Sequence, residues 1–315
     1  MVVWADIRLA AFLPLYALVA WFMPIGRWHD LIRRRFASID KKGPLRTISK
    51  GIAASGLEAR LPGGGEEIAR ELNANRLESY LQYLRDYRPG GWPVDYSLIN
   101  EPALRDGLDA GRGVILWVGH FVFNGLPLKK ALHAAGYEVF HLSRPEHGFS
   151  SSRFGIRVLN PVRSRIESRY LAKRVIIERG AQQRAMREAH RLLSKGRIVS
   201  ITAGHWEGRR VAFAPIGNAV LPLSVGAPSL AHATGARLLP LFIVRDLVNG
   251  ESRFRTILGD PIDCDREQHR DQVVRSAVAD FALQLISPVV GNPDQWRGWK
   301  YLAAAELSDG RKVNQ

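Results

Sequence analysis

The sequence predicts an α/β fold: a mixed, largely parallel sheet flanked by helices, with an N-terminal membrane-anchoring helix in front of it. Three observations carry this expectation. From residue 113 onward, short continuous apolar runs alternate with helix-length segments, as they do where strands are buried on both faces by crossover helices. Residues 9–26, LAAFLPLYALVAWFMPIG, carry no charge. A chain of 315 residues with 46% hydrophobic content can build one large core, or at most two domains.

The elements follow in order. The run at 9–26 approaches the length of about 20 residues that crosses a bilayer core. Trp4 and Trp21 lie near its ends, where interfacial aromatics often sit. Arg27, Arg33, Arg34, Arg35, Lys41 and Lys42 follow it, whereas only Arg8 precedes it, offset by Asp6. That bias places the rest of the chain on the cytoplasmic side. A signal peptide fits less well, because no small-residue cleavage site follows and Asp6 interrupts the leader. The competing reading is a buried or re-entrant helix kinked at Pro14.

LPGGGEE at 61–67 is a flexible break, residues 66–87 read as a helix, and RPGGWP at 88–93 ends it. VILWV at 114–118 reads as a buried strand. LPLKKALHAAG at 126–136 reads as a helix stopped by Gly136, and YEVFHL at 137–142 as the next strand. Residues 165–195 form a long helical region broken near Gly180. RIVSIT (197–202) is a strand and SVGAPSLAHATG (224–235) a helix stopped by Gly235. ARLLPLFIV (236–244) and SRFRTIL (252–258) are late strands, and 266–286 is a closing helix. There is no internal repeat. The resulting division is a membrane-anchoring segment at 1–26, an N-terminal helical region at 27–110, an α/β core at 111–305 and a polar tail at 306–315.

The formal net charge is +15, which favours anionic partners: nucleic acid, anionic lipid or an acidic protein. Between residues 144 and 197 there are fourteen Lys and Arg against four Glu, a net of +10. That stretch is either a docking surface or a solvated helix face. The single cysteine, Cys264, excludes an intramolecular disulfide framework and a cysteine-rich metal site, and fits a reducing compartment.

In open parallel sheets chemistry gathers at the carboxyl ends of strands. Two such ends carry reactive groups. His120 follows VILWV and Gly119, and AGHWEGRR at 203–210 follows RIVSIT. A histidine acts as a general base near neutral pH. Gly119 permits close backbone approach, and the free N–H groups of the next helix can bind an oxyanion. The competing reading is a core histidine at a strand end. Arg179 in VIIERG and Arg209 in HWEGRR can hold a phosphate or carboxylate through paired N–H donors. Glu207 can orient a cation or a histidine. Otherwise these are surface ion pairs that contribute little.

Taken in order, these segments resemble the bacterial lipid A late acyltransferases and, more broadly, the glycerolipid (lysophospholipid) acyltransferase superfamily. INEPALRDGLDAGRGVILWVGHF at 99–121 resembles the lead-in to the family's first block, with its catalytic histidine. IIER at 176–179 resembles the second block, whose arginine contacts the acceptor. HWEGRR at 205–210 resembles the third, an acid–glycine pair followed by a basic residue. VAFAPIGNAVLPLSVGAPSLAHATGARLLPLFIV at 211–244 is similar to the stretch that comes next, and NPDQWRGWKYL at 292–302 to the closing Gln–Trp motif.

The resemblance implies transfer of a fatty acyl group from acyl carrier protein or coenzyme A to a hydroxyl of a lipid or glycolipid, with a lipid A-like precursor favoured. It implies no metal or organic cofactor, and a place at the bacterial inner membrane with the core on the cytoplasmic side. His120 becomes the base, and Arg179, Gly208, Arg209 and Arg210 become substrate-binding residues. One departure stands out. The family's first block is a histidine, four residues, then Asp or Glu; here Gly125 stands at the acid's place, and no carboxylate lies between His120 and Tyr137. The acid holds the imidazole tautomer and stabilises the imidazolium; in a serine protease its replacement by Asn costs about 10⁴ in rate. Asn124 offers a hydrogen bond without charge, and Glu207 offers charge from the third block. A catalytically silent relative that binds lipid or carrier protein is the alternative. Nucleic-acid binding rests on charge alone and lacks a recognition motif.

Overall fold

The structure, a computed structural model, describes residues 4–35, 43–178, 180–204, 210–248 and 251–304. Four helices come first: α1 (Trp4–Phe22), α2 (Trp28–Arg35), α3 (Pro44–Ser55) and α4 (Gly65–Arg85). Strands and helices then alternate: β1 (Asp95–Ile99), α5 (Glu101–Asp109), β2 (Val114–Val118), α6 (Leu126–Ala134), β3 (Val139–Ser143), α7 (Asn160–Ser168), β4 (Lys173–Ile176), α8 (Gln182–Leu193) and β5 (Ile198–Thr202). A hairpin of β6 (Val211–Ile216) and β7 (Ala219–Ser224) leads to α9 (Gly226–Thr234). After it come β8 (Arg237–Val248), β9 (Glu251–Leu258), α10 (Arg270–Gly291) and the short β10 (Ala303–Ala304).

The main sheet has seven strands in the order β1-β9-β8-β2-β5-β3-β4. Strands β4, β3, β5, β2 and β8 run parallel to their neighbours. The antiparallel β8–β9 pair then reverses direction, and β1 lies parallel to β9. The fold is therefore mixed α/β with a largely parallel sheet flanked by helices. A second sheet, β10-β7-β6, is antiparallel. The centre is β2, buried along its whole length, as a strand covered on both faces must be. Its Trp117 meets Phe281 of α10 with ring centroids 4.3 Å apart.

Two departures from the sequence-based expectations, and one hairpin whose strands the sequence left unassigned, concern elements that are half exposed. The long helical region at 165–195 contains an edge strand, β4, between α7 and α8. Strand β1 and helix α5 belong to the sheet layer, although both fall within 27–110. Residues 211–224 form a hairpin turning at Gly217 and Asn218. The polar tail at 306–315 lies outside the described residues.

Helix α1 runs along α4. Its inner face packs Leu13, Tyr16, Val19 and Ala20 against the cluster of Trp28, Ala74, Leu81 and Leu84. Its start is tied down as well, because Ser152 donates to the carboxylate of Asp6, which is buried. The outer face exposes Trp4, Ile7, Leu15, Leu18 and Phe22, at successive spacings of three, eight, three and four residues, which draw one apolar stripe along the helix. Among the described residues, the helix long and apolar enough to cross a membrane is α10, half of whose apolar window is buried. Its buried Val274, Val278, Phe281 and Leu285 make it a core helix.

Candidate functional site

His120 stands one residue past the glycine that ends β2. Two neighbouring strands fix that end: Gly119 N–H donates to Leu241 on β8 at 2.7 Å, and Ala203 after β5 donates to Val118 at 2.7 Å. A side chain at 119 would place its Cβ 2.7 Å from the Phe242 ring, so only glycine lets β2 finish there.

The C-terminal segment after α10 holds the next residues. Arg297 N–H donates to the His120 carbonyl at 2.9 Å, and Val122 N–H donates to the Gln295 carbonyl at 2.8 Å. Phe121 and Trp296 form an antiparallel bridge between these contacts. Gln295 is itself clamped: its side chain accepts from Arg245 N–H at 2.7 Å and donates to the Arg245 carbonyl at 2.8 Å. The closing Gln–Trp stretch thus acts as a short strand-like strut under His120.

The His120 ring is buried and stacks on Tyr301, with centroids 6.1 Å apart at 19°. The two share a small cavity with Ala203, Gly204, Leu223, Phe281 and Trp296. Burial holds the imidazole well below its ordinary pKa range, and the charges of Arg297, Lys300 and Arg163 push it the same way. The ring is neutral at pH 7, and taking up a proton there requires a nearby anion.

The two strand exits expected to share a crevice do meet: His120 and Gly204, the residue before 205–209, line that one cavity. Glu207, Gly208, Arg209 and Arg179 lie outside the described residues. Arg210 is exposed just ahead of β6. Asn124 donates to the Gly119 carbonyl at 3.4 Å and lines a different cavity, with Lys129, His141 and Ser200.

The N–H groups expected to form an oxyanion site at the start of α6 are partly committed. Those of Phe121, Val122 and Leu126 bind Gly119, Gln295 and the Tyr83 hydroxyl.

The place of the missing acid is filled. A Cβ on Gly125 would stand 2.0 Å from the Tyr83 hydroxyl and 3.0 Å from a terminal nitrogen of Arg163. Tyr83 donates to Glu167 at 2.6 Å, and Arg163 lies over the Tyr83 ring at 4.9 Å. Glu167 is fully buried and also binds Lys129, His147 (2.8 Å) and Arg163 (2.8 Å). Burial raises the Glu167 pKa, but its cationic neighbours outweigh that and hold it well below the ordinary carboxylate range. Burial lowers Lys129 to about 8 and His147 to about 4. Sequence reasoning did not find this cluster. Its one signal was Arg163 and Glu167 four residues apart on a helix.

A second buried cluster joins the helices to the sheet. Arg245 of β8 pairs with Glu78 of α4 and donates to Asn75 at 2.6 Å, and Asn75 donates to Asp294 at 2.8 Å. His29 of α2 bridges Glu71 at 2.9 Å and Glu78 at 3.1 Å. Its hydrogen bond to Glu71, and then that to Glu78, raise its pKa to about 9.

No protein-family model matches the chain, and no curated protein does.

Proposed function

We propose that the chain is a membrane-associated O-acyltransferase of the lipid A late acyltransferase type. It moves a fatty acyl group from acyl carrier protein or coenzyme A to a hydroxyl of a lipid or glycolipid, with a lipid A-like precursor favoured as acceptor. The observation that carries the reading is the seating of His120, past the carboxyl end of the central strand and facing the end of β5 across a shared cavity. In the reaction the His120 imidazole takes the acceptor's hydroxyl proton as that oxygen attacks the thioester carbonyl. The tetrahedral intermediate then collapses, the C–S bond breaks, and the imidazolium returns its proton to the thiolate. Glu207 supplies the charge that the buried imidazolium needs, and Arg179, Gly208, Arg209 and Arg210 contact the substrate.

Contact with the membrane is through the outer face of α1. Its apolar stripe is exposed, and Arg33 and Arg34 at the end of α2 are exposed nearby in sequence. Basic groups near an anionic leaflet contribute about 1 kcal/mol each. The core then faces the cytoplasm of a bacterial cell at the inner membrane. The exposed cations of α8, Arg184, Arg187 and Arg191, suit an acidic carrier protein.

The filled position at Gly125 favours a second reading, a catalytically silent relative that binds lipid or carrier protein. The deciding experiment incubates full-length protein in detergent with labelled acyl carrier protein and total membrane lipid, followed by mass spectrometry. An acylated lipid supports the enzyme. Binding of lipid or carrier with no product supports the silent relative.

A further inference from the structure

We infer that Tyr301 governs access to His120: its ring closes the cavity around the imidazole against water and turns aside for substrate. The inference rests on the acyltransferase reading for what enters, but not for the closure itself.

The cavity that the two rings share measures about 10 Å³, no more than one water needs. Acyl transfer brings a hydroxyl oxygen and a thioester carbonyl to about 3–3.5 Å from each other, with the base in hydrogen-bond reach. A space of that size admits neither group. For His120 to meet a substrate, one wall of the cavity must move.

The walls differ in how they are held. The end of β5, β7, α10 and the strut supply most of the lining, and each lining residue they contribute is buried. Among the described lining residues, Tyr301 is the half-exposed one. Its ring is stacked on the imidazole, 6.1 Å away at 19°, so on that side the tyrosine stands between His120 and solvent.

The chain passes from a firm hold to a light one at this point. Trp299 is fully buried, and its indole N–H donates to the Pro293 carbonyl at 2.7 Å. Beyond it, Leu302 N–H donates to the Trp299 carbonyl at 3.4 Å, and β10 pairs with β7 over two residues. The exposed Lys300 adds a cation–π contact to the Tyr301 ring at 4.5 Å. The strut can therefore keep its place under His120 while the Tyr301 ring turns.

Such a closure bears on specificity. An imidazole open to bulk water serves hydrolysis as well as transfer, because water competes with the acceptor hydroxyl for the same base. In hydrolysis the water oxygen attacks the thioester carbonyl and His120 takes its proton. The C–S bond then breaks, the proton returns to the thiolate, and free fatty acid and the thiol leave.

The test measures how fast diethyl pyrocarbonate modifies His120 in full-length protein in neutral detergent at pH 7, read peptide by peptide by mass spectrometry. The exposed His133 and His190 and the buried His141 are internal references. In the wild type His120 reacts more slowly than His190. Tyr301→Ala speeds His120 by about tenfold or more, since a covered group reacts through local opening, while His141 keeps its rate. Tyr301→Phe, which retains the ring, stays near the wild type. Lys300→Ala, a change at an exposed position that leaves the fold intact, speeds His120 by about two- to fivefold, the worth of an exposed cation–π contact. A wild-type His120 as reactive as His190 overturns the closure. So does a His120 rate unchanged in folded Tyr301→Ala and in Lys300→Ala, or an equal rise at His141, which marks general loosening. The same variants then receive labelled acyl donor and membrane lipid, and the ratio of free fatty acid to acyl lipid rises in Tyr301→Ala. Faster modification of His120 with no acyl product in any variant keeps the closure and removes the enzyme. Acyl transfer with an unchanged His120 rate does the reverse.

Discussion

The main-chain N–H of Arg297 donates to the carbonyl of His120 at 2.9 Å. This bond ties the putting-in-place of the proposed base to a segment at the far end of the chain. The strut reaches further through Gln295, which satisfies both the N–H and the carbonyl of Arg245. Arg245 in turn is paired with Glu78 and Asn75 on α4. The position of His120 is therefore set jointly by β8, α4 and the C-terminal segment.

Gln295→Ala is expected to loosen that strut. It leaves a buried N–H and a buried carbonyl without partners, at a cost of about 1–3 kcal/mol each. The melting temperature falls, and any acyl-transfer rate falls with it while the protein remains folded at low temperature. Unfolding scans and product assays on the same preparation check both. An unchanged rate shows that the strut does not position the site.

Gly125→Ala should destabilise the protein by about 1–3 kcal/mol, because its Cβ must push Tyr83 off Glu167 and Leu126. Gly125→Glu, which places a carboxylate five residues after His120, brings no gain in rate for the same reason. Chemical denaturation measures the first, and a rate above wild type in the second contradicts the account of the filled position.

Glu167→Gln leaves Lys129 and Arg163 buried without their counter-charge. Breaking a buried ion cluster in this way costs about 3–5 kcal/mol. Denaturant midpoints read the loss; a change under about 1 kcal/mol removes Glu167 from the account of the core.

Much of the fold is legible in the sequence where one chemical pattern dominates. Strand β2 and residues 238–244 of β8 are continuous apolar runs because both faces are covered, β5 is largely apolar, and α4 and α9 have glycines near their ends. Strands β1 and β4 are not, since they form the two edges of the sheet. In β4 only Val175 is buried, and a strand with one buried side chain leaves no periodic signal. The seat of His120 is legible from the glycine and histidine that end β2. Its surroundings are not. Tyr83, Arg163, Arg297 and Tyr301 come from distant helices and the C-terminal strut, and the packing that brings them together follows no spacing rule.

Stability should fall on both sides of about pH 6.5, the alkaline fall slackening above about pH 8, where Lys129, lowered to about 8 by burial, acts oppositely to His29. His29 has its pKa raised to about 9 by Glu71 and Glu78, so its contribution is complete below about 6.5 and is lost as pH rises through about 9. His147, lowered to about 4, and the lowered His120 and His141 act oppositely. The unfolded chain binds their protons first, so stability falls as pH drops from about 6.5 towards 4. Melting temperature against pH traces both limbs, and His29→Gln flattens the alkaline one. An alkaline limb that persists in that variant assigns it elsewhere.

The central claim is that His120 is the base of an acyl transfer, and it is tested most directly by His120→Ala. The labelled acyl donor is supplied with membrane lipid, and the rate of acyl-lipid formation is compared with wild type. The variant is first shown to be folded by its unfolding transition. The account predicts a loss of about 10²–10⁴-fold in rate. Wild-type rates in a folded His120→Ala protein would contradict it.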